Sequence, residues 1–488
     1  MAVLETWWMH RATATSTLGR ESSPVRTLFW EDMAVDMLLA SSVGSLVMVL
    51  FQGLCTAPSW QRFARLACGW ALARRQHTLT TSRWLTGAAT GQHFSRGSVF
   101  LGCPFSQARW RVWACSIRHA APLLPAEAPL VIECDDPTQK KAGRHIEGVT
   151  GSRHGAGSAR QESRTLRGLN GVLGVRRVPL RRWPGPAVTV PIGLERSRKA
   201  AHARQPHRPY RSRSARARTL VDGVASQLPG RQMRVLGDGG DATQAGVRDL
   251  PPSVHGVSRC LLSGTLYARP EPPGGTRRGR RPRTGERLGS PKPLARRRRG
   301  WPPHPTAAKA EVHAGVGRWH TVLPGRRVRV VVVRRPPAPR ATQPGPRTPR
   351  PRVAAFFTTA LSRSVEDIRQ PYRDRWAVAS MLRDRHTFDG LGQDQCRKLP
   401  RVVGATTLRL VMAAARTRWF LDHAHHTPAM ALRRHRPWSR QTCAPRPLDI
   451  VWACREAVHA AGVFPLPRFV TDLPEKHGNP DHALPSAA

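Results

Sequence analysis

The sequence predicts an α/β fold: a mixed sheet flanked by helices, with a helical N-terminal region and a Pro/Arg-rich insertion. Three observations predict it. Two short apolar runs, PLVIEC at residues 129–134 and QMRVLG at 232–237, each end against an acidic residue, as buried strands do where a sheet opens to ligand. RVRVVVVRR at 327–335 is the clearest strand in the chain. Around these lie segments with apolar residues at helical intervals.

In chain order, residues 1–36 have no clear pattern. Residues 37–57, MLLASSVGSLVMVLFQGLCTA, are uncharged for 21 positions, long enough to span a bilayer. Serines, glycines and Gln52 dilute the run and no second span follows, so a buried helix is expected rather than an anchor. The 36 residues before it argue against a secretory signal. WQRFARLACGWALARRQ and FSQARWRVWACSIRHAAPLL read as helices. Residues 269–305 are rich in Pro, Gly and Arg, and are expected to form a mobile arm without a core. AAFFTTA is a strand, separated from the valine run by PPAPRATQPGPRTPRPR, a second loop expected to be disordered. A helix follows over 364–386, with Ser364 as N-cap and Asp367 at N3; Pro371 should kink it or delay its start. Two more helices are expected, at VVGATTLRLVMAAARTRWFLDHA and LDIVWACREAVHAAGVF.

The expected division is therefore an N-terminal extension with an apolar helix (1–57), a helical DNA-binding region (58–127) and a first core part (128–268). The basic insertion with strands (269–353), the core helix (354–400), C-terminal helices (401–470) and a tail (471–488) complete it. The chain has 488 residues, enough for about two to four domains.

Charge narrows the partner. Lys plus Arg number 79 against 31 Asp plus Glu, a net +48. Such a balance implies a polyanion, most simply nucleic acid; a membrane surface and a solvated face are the other readings. Only seven of the basic residues are Lys. Arginine suits phosphate forks, and GC-rich coding also produces it. The nine cysteines contain no CxxC pair, which argues against structural zinc and for reduced cytosolic thiols.

Asp135 and Asp238 stand at the ends of the two acid-terminated strands. An Asp in that position is most often a turn or cap residue. Two such carboxylates, with a third from a later helix, meet the need of a Mg²⁺ pair about 4 Å apart for oxygen ligands on a phosphodiester. His423, His425 and His426 read as a solvated helix end. Cys134 reads as core, as do Trp376, Trp419 and Trp438.

Several stretches, in this order, resemble the DDE transposases of bacterial insertion sequences: IECDDPTQKKAGRHIEGVT, HGAGSARQESRTLRGLN, LPGRQMRVLGDGGDAT, DLPPSVHGVSR, LSRSVEDIRQPYRDRW and GLGQDQCRK. The likeness covers roughly residues 37–469. It implies an RNase H-like core with an inserted segment, and Mg²⁺ or Mn²⁺ as cofactor, two ions if the enzyme is active. It also implies strand cleavage at element ends, followed by attack of the freed 3′-hydroxyl on target DNA. Asp135, with Asp136 beside it, matches the first acid, and Asp238 the second. The third is a Glu in a helix with Tyr seven before it, Arg four before it and Lys seven after it. Tyr372 and Arg375 match as DNA-binding residues; Ala379 stands where the Glu belongs, and His386 where the Lys belongs. In one continuous helix, at ~100° per residue, 372, 375 and 386 lie within about 40° of 379, whereas Glu366, Asp374 and Asp384 fall about 140° away. Asp389 lies beyond the helix. The third acid is thus expected to be missing. Pro137 and Asp241 also depart from the family pattern, which has Thr and Tyr there. Arg278 and Arg280, in RGRRPR, resemble a minor-groove hook and are expected to contact DNA phosphates.

The expected function is a DDE-type transposase acting on duplex DNA, at element ends and target. The alternatives are a catalytically inactive DNA-binding remnant and a decayed frame whose product folds poorly. No membrane partner is expected, a homodimer on DNA is allowed, and the expected location is cytoplasmic, with the nucleoid.

Overall fold

The computed structural model describes residues 57–73, 76–86, 95–102, 104–141, 143–153, 164–179, 187–197, 210–238, 243–270, 283–296, 300–303, 311–335, 352–373, 375–424, 445 and 447–460. The apolar run at 37–56, Asp241, Arg278, Arg280, the loop at 336–351, Asp374, His425, His426 and Trp438 lie outside them.

Four helices come first: α1 (Ala57–Leu72), α2 (Leu79–Leu85), α3 (Ser95–Gly102) and α4 (Pro104–Ala120). Helix α1 buries Phe63, Leu66, Ala67 and Trp70, an i, i+3, i+4, i+7 stripe. The Thr78 hydroxyl caps α2 by accepting from the Thr81 amide at 3.1 Å.

The strands then follow. They are β1 (Leu130–Asp135), β2 (Thr138–Lys140), β3 (Thr150–Arg153), β4 (Thr165–Val178) and β5 (Val188–Arg196). Helix α5 (Arg213–Gln227), capped by Ser212, leads to β6 (Met233–Gly237), α6 (Gln244–Val247) and β7 (Val254–Cys260). Strand β8 (Leu266–Tyr267) leads into the insertion, which contributes β9 (Arg287–Gly289), α7 (Pro291–Arg296), β10 (Glu311–Arg318) and β11 (Arg327–Arg335). The chain rejoins the core through β12 (Arg352–Thr358). Together they form one mixed sheet of twelve strands, ordered β2-β4-β1-β6-β7-β12-β11-β10-β8-β9, with β3 and β5 pairing β4. Strands β1, β6 and β7 are parallel neighbours; β4 runs antiparallel to β1, and β5 to β4. This is the mixed α/β sheet flanked by helices that the sequence predicts.

Strand alternation splits the core. Cys134 and Val172 face α5, packing on Ala217 and Leu220. Leu173, Val175 and Leu194 face the opposite way, toward Phe63, Trp70 and Trp113 of the N-terminal helices. On that side also lie α9 (Trp376–Phe388) and α10 (Leu399–Trp419), through Val378, Met381, Leu408 and Val411. Burying an aliphatic side chain of this size stabilises by about 1.5–3 kcal/mol, so these layers hold the helices to the sheet. Helix α10 is buried on nearly every side, Trp419 included, as an apolar central helix should be. A π-helical turn (Phe420–Ala424) and α11 (Pro447–Ala460) close the described chain. No described helix is long and apolar enough to cross a membrane.

Two expectations need correction. The segment 269–305 does contribute to a core: Trp301 is 9% exposed and packs with Trp319, Val328 and Val330, with Leu294 of α7 against the same cluster. Pro and Gly dominate the composition there, but one tryptophan supplies enough apolar area to join a core. Residues 364–386 form two helices, α8 (Val365–Arg373) and α9, instead of one. The Ser364–Asp367 capping box forms as expected, with the Asp367 amide donating to Ser364 Oγ at 3.1 Å. Pro371 has no amide to continue the hydrogen-bond ladder, and tight i→i−3 bonds follow, Arg375 N to Tyr372 O at 3.2 Å and Val378 N to Arg375 O at 3.3 Å.

Candidate active site

Asp135 is the last residue of β1, and Asp238 follows the last residue of β6. These two strands are adjacent and parallel, with Glu133 level with Leu236. Two residues further on, Asp135 and Asp238 stand level at the sheet's carboxyl edge, on strands about 4.8 Å apart. Both line one small cavity, with Cys134, Asp136, Val172 and Arg213.

Each acid is held by its surroundings. Asp135 Oδ1 accepts from the Asp136 amide at 2.9 Å. Ser258 of β7, itself 4% exposed, donates its hydroxyl to the Gly237 and Asp238 carbonyls at 3.0 and 2.8 Å. That bond fixes the backbone from which Asp238 projects. Burial pushes the Asp135 carboxyl above the usual carboxylate range; Arg375 and Arg213 oppose that shift and the Asp238 charge adds to it. Asp136 is engaged elsewhere, in an ion pair with Arg213 on α5.

The junction of α8 and α9 brings Arg375 to the acids. Its guanidinium lies 3.9 Å from Asp238 Oδ1 and 5.6 Å from the Tyr372 ring centre. Tyr372 is in turn seated on Phe356 of β12, the rings edge to face at 4.9 Å, and burial raises its phenol. The exposed Arg375–Asp238 pair contributes little energy, of order 0–1 kcal/mol; its value is positional. The helix break therefore does not separate Tyr372 from Arg375.

Ala379 follows Arg375 by one turn on the same face of α9, and it is exposed. The methyl group of Ala379 offers no ligand. His386, two turns further on, is not among the residues lining the acid cavity. Its Nδ1 lies 2.6 Å from the Leu391 carbonyl, and burial lowers its proton affinity. The other nearby acids are committed elsewhere or apart. The Asp367 carboxylate accepts from the Ser364 hydroxyl at 3.0 Å, Glu366 lies 3.7 Å from Arg369, Asp384 lies 3.6 Å from Arg383, and Asp389 is buried between Arg385 and Arg416. Among the described residues no group of three or more His, Cys, Asp or Glu is arranged to hold a metal ion. His423 is exposed on the π turn, and the described cysteines are all free thiols.

Sequence reasoning missed three supporting residues. Glu133, fully buried, sits two residues before Asp135 and so on the same strand face. Arg177 of β4 lies 3.3 Å from its carboxylate and donates to the Pro371 carbonyl at 3.3 Å, tying β1 to the end of α8. A charge inside the apolar run VIEC was the available signal. Ser258 had none, because a serine in a strand ordinarily means nothing more than a tolerated polar residue.

Neither a protein-family model nor a curated protein matches the chain.

Proposed function

We propose that this chain is a DDE-type transposase of an insertion sequence, acting on duplex DNA by strand cleavage and strand transfer. The observation that carries the reading is the level placement of Asp135 and Asp238 on adjacent parallel strands, with Arg375 beside them. The order of the central strands, three antiparallel and then two parallel, supports an RNase H-like core. The net +48 charge supports a nucleic-acid substrate.

The donor set suits a hard divalent cation. Asp135 and Asp238 offer carboxylate oxygens at the rim of one cavity and would hold Mg²⁺ or Mn²⁺. Such an ion, when bound, stabilises charge developing on the phosphodiester oxygens. The protein's own share is positional. Ser258 fixes the Asp238 backbone, Tyr372 seats Arg375, and the Arg375 guanidinium is placed to bind a non-bridging phosphate oxygen. Two ions would want the third acid, which residue 379 lacks.

A specific observation favours a second reading, a catalytically inactive DNA-binding remnant. Ala379 supplies no carboxylate on the face of α9 that follows Arg375, and His386 is turned to a carbonyl. The test is strand cleavage, with Mg²⁺ or Mn²⁺, of the duplex ends that flank the coding region. Cleavage that rises by orders of magnitude in Ala379→Glu and vanishes on adding Asp238→Ala supports the transposase reading. DNA binding without cleavage in either version supports the remnant. Location with the nucleoid and a dimer on DNA belong to the same proposal.

A further inference from the structure

The edge of the sheet where β6 and β7 begin, opposite the acid pair, carries a loop built to face outward with positive charge. Residues 319–326 join β10 to β11. Trp319, Val322 and Leu323 are buried and pin the loop, and the amides of Val322 and Leu323 donate to the Trp319 carbonyl at 3.1 and 2.7 Å. Gln244 of α6 holds it from the side, donating to the Thr321 carbonyl at 2.8 Å. Gly325 supplies the turn at φ +86°, a conformation open to glycine. The backbone is thus fixed while Arg326 and Arg327 remain exposed.

The charges there are crowded. Arg318 and Arg327 lie directly opposite each other across the β10–β11 ladder, a like-charged pair that repels. Arg318 Nε is buried without a hydrogen-bond partner. Arg318, Arg283 and His320 line an open groove of about 540 Å³ with Gln244. Along the same edge of the sheet, Arg234 and His255 are the second residues of β6 and β7, and burial together with Arg363, Arg326 and Arg234 lowers the proton affinity of His255. Asp367 reaches this group only at 3.9 Å from Arg234. Arg318 and Arg327 share a row of the sheet with Arg234, four residues before Asp238, or ~13 Å along the strands, with four strand spacings more between β6 and β10. A guanidinium cluster on a fixed loop, short of carboxylates, matches a row of phosphates.

We propose that this edge is a second surface for duplex DNA, gripping the phosphate backbone through Arg283, Arg326 and Arg327, separate from the acid pair. The inference rests on the nucleic-acid reading above. The affinity of the full chain for a labelled duplex, measured across a salt series, tests it. Arg283→Gln, Arg326→Gln and Arg327→Gln, all at exposed positions, should together flatten the slope of log affinity against log salt by about 2 to 3, near 0.9 for each phosphate released. A control with equal loss of charge at exposed Arg144, Arg167 and Arg397 should flatten it by less than about 1. An unchanged slope in the edge variant, with the unmodified chain still binding, overturns the second surface alone. Equal losses in both variants overturn it too, since net charge would then be the cause. No binding by the unmodified chain overturns the nucleic-acid reading and the proposal with it.

Discussion

Asp389 and Asp394 carry the internal charge balance of the helical side. Asp389 pairs with Arg385 and Arg416, and Asp394 with Arg409 and Lys141, every one of these side chains at most 6% exposed. Buried charges of this kind are tolerated only in pairs, since removing one partner typically costs about 3–5 kcal/mol. His77 stands at the edge of the network, 1% exposed, its carbonyl accepting from Arg409 at 2.6 Å. Burial first, and then Arg409, Arg416 and Arg455, lower its ring to about 4. A base depressed in the folded state takes up its proton in the unfolded chain first. Stability is therefore fully present above the unfolded value near 6.5 and is lost as the pH falls toward about 4. The loss should reach roughly 3 kcal/mol. Urea unfolding at pH 7 and pH 4.5 checks it: His77→Gln should remove most of that difference, and parallel behaviour of the two proteins would exclude His77 as the cause.

At the scale of elements, close backbone approach sets the helical packing. In α10, a Cβ on Gly404 would lie 2.0 Å from the Leu101 carbonyl oxygen at the end of α3. The obstacle is backbone and cannot rotate away, so Gly404→Ala should cost at least the 1–3 kcal/mol of ordinary overpacking, about the upper end or beyond. A thermal or urea midpoint equal to that of the unmodified chain would show that α3 is free to shift. The strands and helices that were legible in the sequence had one-sided signals. Acid-terminated β1 and β6, the valine run of β11 and the Ser364 capping box are of this kind. Strands β4 and β5 were not legible. Both are buried on two faces over most of their length, and TLRGLNGVLGVRRV mixes glycines with a continuous apolar run, which gives no period-two alternation. The stripe through Tyr372 was legible only in part. Pro371 announced a disturbance, but not that the chain would divide in two and still return Arg375 to the Tyr372 ring.

On the scale of the whole molecule, one sheet separates two chemistries. Its carboxyl edge gathers Asp135, Asp238 and Arg375; the opposite edge gathers Arg318, Arg326, Arg327 and Arg363. The twelve-stranded sheet keeps them apart because the strands run from one edge to the other, and β10–β12 extend it beyond β7. The pair was legible from two apolar runs ending in Asp; Ser258, Glu133 and Arg177 became visible only once strand neighbours were known. In the proposed function Asp135 and Asp238 form an incomplete cation site, lacking the ligand that a Glu at position 379 would supply. The most direct measurement is Mn²⁺ affinity, read by electron paramagnetic resonance on the full chain, Ala379→Glu, Asp238→Asn and the double variant. The unmodified chain should bind weakly and Ala379→Glu at least about tenfold more tightly, ~1.4 kcal/mol. That gain should be lost when Asp238→Asn is added. Equal affinity in all four proteins would contradict an incomplete cation site at Asp135 and Asp238.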